Sequence, residues 1–118
     1  MAGEVVTYVP GLSVGQALEY VVWAKDLLYA LDPTSLGVAA LSYGVEAAAE
    51  NERFLRREAA VVAATLEHYL GEYEWTLITA LRAAAVAPPV HMPTLVDQAH
   101  ETGRVWQAMY LHEKREET

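Results

Sequence analysis

The segment from Asn51 to Ala87, NERFLRREAAVVAATLEHYLGEYEWTLITALRAAAVA, constrains the fold more than any other part of the chain. It holds no proline and a single glycine, and it is dense in residues of high helix propensity. Leu55, Val62, Leu66, Tyr69, Tyr73, Leu77 and Leu81 recur every three or four positions and so mark one helical face. Read as one rod, the segment spans about 50 Å. Its middle, Ala59–Leu66 (AAVVAATL), carries no charge on any side. A helix that is apolar all round has to be covered all round. The back of that waist is alanine (Ala60, Ala63, Ala64), which favours close approach of a second backbone. Charge returns on both flanks, with Arg53, Arg56, Arg57 and Glu58 before the waist and Glu67, Glu72 and Glu74 after it.

The rest of the chain supplies few elements to cover such a helix. At 118 residues it predicts one domain, 1–118, with an unfavourable ratio of surface to core. Glu4–Val9 (EVVTYV) alternates and is rich in β-branched residues up to Pro10-Gly11, so residues 1–11 read as an extended arm. In an otherwise helical chain the arm lies along its own helices or crosses to a neighbouring molecule. Ser13 and Gln16 form a capping-box pattern that opens helix one, which runs to about Leu31. Val14, Leu18, Val21, Val22, Leu28 and Leu31 are its expected apolar face, with Gln16, Glu19, Trp23 and Asp26 near the opposite side.

Asp32-Pro33 closes helix one and opens helix two, with Asp32 as N-cap and Pro33 at the first helical position. Helix two covers Thr34 to about Glu50, with a kink or break expected between Gly44 and Asn51. Gly37 and Gly44 permit close approach of another backbone. Three prolines within Pro88–Pro93 end the long segment. A last helix follows from Pro93 or Thr94 to Lys114, with Gly103 beside Trp106 suggesting a close crossing and residues 112–118 forming a charged tail. The expected fold class is all-α: a small bundle of three to four helices, with one long central helix and an extended N-terminal arm.

Composition limits the function classes. Cysteine is absent, which excludes disulfides and thiolate metal sites. A formal net charge of −8 argues against a surface for duplex nucleic acid, which needs clustered Lys and Arg. No uncharged run reaches the roughly 18 residues of a membrane span, and Met1–Val9 lacks the basic start of a secretory signal. The chain reads by default as soluble and intracellular. There is no Gly-x-Ser-x-Gly elbow, phosphate loop or dinucleotide fingerprint, and no cofactor is expected.

His68 with Glu72 and Asp97 with His100 each share a helical face, and a bundle bringing the pairs together would hold a metal. The carboxylate-bridged pattern needs two Glu-x-x-His units, and the chain has one acidic-x-x-His. The preferred reading is therefore a non-enzymatic subunit that associates with itself, either a repeating component of a particle, filament, ring or connector or a homodimeric interaction module. Its interface candidates are Trp23, Phe54, Ala60, Val61, Ala64 and Trp75, with the basic cluster Arg53, Arg56 and Arg57 able to meet an acidic patch on an identical neighbour. A metal-binding bundle or enzyme centred on His68, Glu72, Asp97 and His100 is one alternative. A small acidic inhibitor or adaptor of another protein is the other.

Overall fold

The structure, a computed structural model, describes residues 7–117, with the side chains at 105, 106 and 115–117 excepted. It is all-α, and no strand occurs among the described residues. Five α-helices follow one another: α1 (Val14–Ala30), α2 (Pro33–Tyr43), α3 (Val45–Leu70), α4 (Trp75–Val86) and α5 (Met92–Glu117), with a 3-10 turn at Gly71–Glu74 between α3 and α4.

The local start signals act as the sequence predicts. The Ser13 hydroxyl accepts from the Gln16 N–H, and the Gln16 side chain accepts from the Ser13 N–H. Together they satisfy two otherwise orphaned donors of α1. Asp32 caps α2 by accepting from the Thr34 N–H, with Pro33 in the first turn. The break after helix two falls at Gly44, which adopts φ +95° and lets the chain leave α2 and enter α3.

The long segment does not continue as one rod. The central helix α3 ends at Leu70, Gly71 takes φ +55°, and the chain folds back so that α4 packs antiparallel along α3. Ala24 and Leu27 of α1, Ala59, Val62, Ala63 and Leu66 of α3, and Ile78 and Leu81 of α4 form the first core. Most of the waist is thus covered by its own chain: Ala59, Val62, Ala63, Thr65 and Leu66 are buried, while Ala60, Val61 and Ala64 stay half-exposed.

Helix α1 turns inward only part of the face its bulky residues predict: Val21, Leu28 and Leu31 pack against the cores. Ala17, Ala24 and Leu27 are buried, whereas Val14, Leu18 and Val22 face out. The alanines let α1 approach the small residues of α3 closely, and close-packed small contacts displace the larger stripe. Tyr73, expected in the core, is 90% exposed because the 3-10 turn takes it off the α3 stripe.

A second core joins Leu36 and Ala40 of α2, Ala48 of α3, and Met92 and Leu95 of α5. Here Gly37 permits the expected close approach: a Cβ at this position would lie 3.2 Å from the Leu95 carbonyl oxygen. Gly103 does not mark a crossing, since open space surrounds it. Between the two cores Arg56 donates to the carbonyls of Ala84 and Ala87, which end α4, and pairs with the buried Glu52. With two small cores strung along α3, the body measures 62 × 35 × 20 Å. Its radius of gyration of 18.6 Å exceeds the roughly 13–14 Å of a compact chain of this length.

Candidate functional site

The antiparallel pair α3–α4 leaves one face open. On α3 the face is set by helical periodicity: Arg53, Arg57, Ala60, Ala64 and Glu67 fall along one stripe, with Phe54, Val61 and His68 on its shoulder. On α4 a parallel stripe of exposed residues runs through Trp75, Thr79, Arg82, Ala83 and Val86. Between the stripes lies a groove of about 480 Å³ lined by Ala60, Ala64, Arg82, Ala83, Ala85 and Val86. Its floor is short because alanine ends at Cβ, so the backbones of α3 and α4 lie near the surface.

One end of the groove is framed by polar and aromatic groups. Arg82 pairs with Glu67 across the two helices, and its guanidinium carbon stands 6.0 Å from the centroid of the Trp75 ring. The groove continues past Ala64 to Tyr8, whose ring stacks on His68 with centroids 3.7 Å apart. The described part of the N-terminal arm is therefore docked on its own subunit. The Val9 N–H donates to the Thr65 hydroxyl, the Tyr69 hydroxyl donates to the Val9 carbonyl, and the Leu12 N–H donates to the Tyr69 oxygen. The arm's first residues, Met1–Val6, lie outside the described residues.

The sequence-derived candidates separate into groups. Arg53, Phe54, Arg57, Ala60, Val61 and Ala64 share the open face of α3, and Trp75 joins it from α4 through Arg82. Trp23 lies elsewhere, on α1 against Tyr20, with its ring centroid 5.4 Å from that of the tyrosine. Arg56 points inward, where its two terminal nitrogens are held by Glu52, Ala84 and Ala87 while Nε is buried without a partner, so the basic cluster at the surface reduces to Arg53 and Arg57. Glu52, whose i, i+4 spacing to Arg56 is the usual pattern of a solvated pair, is 2% exposed. Ala83 and Val86 were not among the candidates, although the spacing of Trp75, Thr79, Ala83 and Val86 is itself an α-helical stripe. That spacing becomes informative once the segment is split at Gly71.

The proposed metal ligands are not brought together. His68 is on α3 stacked against Tyr8, Glu72 is exposed in the 3-10 turn, and Asp97 and His100 are exposed on α5, which packs against α2. Among the described residues no three His, Asp or Glu side chains stand close enough to share an ion. A second, smaller groove of about 240 Å³ runs between α2 and α5, lined by apolar and neutral side chains including Val38, Leu41 and Leu95. No helix among the described residues is long and apolar enough to cross a membrane. Comparison with known protein families, with curated proteins and with solved structures finds no match to this chain.

Proposed function

We propose that this chain is a non-enzymatic structural or assembly subunit that associates with copies of itself. The observation that carries the reading is an excess of apolar surface on an elongated body. The accessible surface is 8313 Å² for 13.0 kDa, against about 6300 Å² for a compact monomer of that mass. Large apolar side chains contribute to it on several helices: Val14, Leu18 and Val22 on α1, Phe54 on α3, Trp75 and Val86 on α4, and Met109, Tyr110 and Leu111 on α5. Large apolar side chains exposed on several helices are candidates for burial against another surface.

The Ala59–Leu66 waist is mostly covered by its own chain and Thr7–Leu12 docks on α3, so neither calls for a second copy. The support lies in the faces left open. The net charge of −8 fits a subunit kept apart from other copies except where specific contacts overcome repulsion. The test is the mass of the purified chain by light scattering across a hundredfold range of concentration. Multiples of 13.0 kDa are expected. A monomer at every concentration overturns the reading and leaves the inhibitor or adaptor role in its place.

A further inference from the structure

We infer that the open α3–α4 face is the surface on which a second copy docks, antiparallel to the first about a two-fold axis, making a four-helix contact of two hairpins. The inference rests on the self-association reading and specifies its surface, its symmetry and its register.

Charge identifies the occupant. Along the α3 stripe Arg53 and Arg57 stand on one side of Ala60 and Ala64 and Glu67 on the other, with Glu50 beyond Arg53. The charges that flank the alanines, Arg57 and Glu67, complement each other when the face is turned end for end. Setting Ala60 of one copy against Ala64 of the partner subunit fixes the register. Arg57 then comes opposite Glu67 of the partner subunit, and Arg53 comes opposite its Gly71–Glu72 turn. Because Glu67 already holds Arg82 of its own chain, each Glu67 would lie between two guanidiniums. Helix α3 ends at Leu70, so Glu50 lies past the end of the partner's helix in this register. A parallel pairing would instead set like ends together along the whole face.

Size bounds the contact. Helix α3 has 26 residues, about 39 Å of length, but α4 has 12 and widens the face to about 18 Å over only about 18 Å of that length. The footprint is thus about 500 Å² per copy, below the roughly 800 Å² per partner of a standard interface, which suits an association that salt and single charge reversals weaken. The alanine floor lets the helices of two copies approach more closely than larger side chains would. Three of the eight Lys and Arg residues (Arg53, Arg57 and Arg82) collect on this face of an acidic chain. Such collection favours an acidic counter-surface, and the chain carries one on the same face.

The experiment is sedimentation equilibrium of the full chain at low and high salt, with circular dichroism of every variant. The wild type is expected at twice 13.0 kDa, with weaker association at high salt. Ala64→Arg is expected to be monomeric. The exposed single substitutions Arg57→Glu and Glu67→Arg are each expected to raise the dissociation constant at least tenfold. The double variant Arg57→Glu/Glu67→Arg is expected to recover part of the loss, because each new charge meets its opposite on the other copy while the arginine introduced in place of Glu67 also faces Arg82 of its own chain. Failure of recovery overturns the antiparallel register. Wild-type association that Ala64→Arg and Arg57→Glu both leave unchanged overturns this surface while sparing the self-association reading. A wild-type monomer overturns both. A wild-type monomer that gains mass with poly-glutamate would assign the face to an acidic partner instead.

Discussion

Glu52 and Arg56, one helical turn apart on α3, form an ion pair of 2.9 Å at the junction of the two cores, with the carboxylate buried and the guanidinium largely so. The pair does more than neutralise itself. Through Arg56 it holds the carbonyls of Ala84 and Ala87, which have no further partner within α4, and so ties the end of that helix and the proline linker to α3.

Removing either member of this pair leaves the other charge in a dry site. Arg56→Ala and Glu52→Ala are each expected to lower stability by about 3–5 kcal/mol. The double variant Glu52→Leu/Arg56→Met should lose less than either single change, since no unpaired charge remains. Urea unfolding followed by circular dichroism measures all three, and a larger loss in the double variant would contradict this account.

Tyr69 is the anchor of the arm, since its hydroxyl bonds both Val9 and Leu12. Tyr69→Phe removes both bonds while keeping the ring, with an expected loss of about 1–2 kcal/mol. The loss should be local. Amide exchange at Leu12, and at Tyr8 and Val9 beside it, should accelerate well before exchange in α3 changes.

Three glycines make a graded test. Gly71→Ala forces a side chain into φ +55° with ψ −136°, a conformation almost confined to glycine, at about 1–3 kcal/mol. Gly37→Ala sets a Cβ 3.2 Å from the Leu95 carbonyl oxygen, so α5 has to give by a few tenths of an ångström, an overpacking cost of about 1–3 kcal/mol. Gly103→Ala meets open space in the part of α5 beyond both cores, so it should add helicity there and leave the cooperative melt where it is. Melting temperatures of Gly103→Ala and wild type together above the other two are the expected outcome.

The inward face of α1 can be checked by paired substitutions. Leu27, 2% exposed, should cost about 2–5 kcal/mol on replacement by alanine. Leu18, half-exposed at 51%, should move stability by no more than about 0.5 kcal/mol on the same replacement. Equal losses at the two sites would restore the face that the bulky residues suggested.

What was legible in the chain was local. Ser13 with Gln16, Asp32 with Pro33, and the proline run after Ala87 act through neighbours a few residues away, and each ends or begins a helix where the sequence places it. The reversal at Gly71 was not legible, because one glycine among strong helix formers carries little local weight. The turn is favoured by what it brings together, Leu66 with Ile78 and Leu81. The same holds for α1, where the choice between the alanine face and the valine-leucine face depends on the width of the helix it meets. Glu52 read as solvated because its spacing to Arg56 is the usual surface pattern, and only the return of α4 encloses it. The open face was partly visible: Arg53, Phe54, Ala60, Val61 and Ala64 were identified on α3. Its α4 half was hidden inside a rod that does not exist.

Beyond Ala99, every side chain described on α5 is exposed, so that helix is held at one end only. Free-standing helical runs of about 12–15 residues are marginal in water. On warming, ellipticity should therefore decline gradually before the cooperative step, as this overhang unwinds turn by turn from its tip. Limited proteolysis should shorten the chain from the same end while the two cores stay intact.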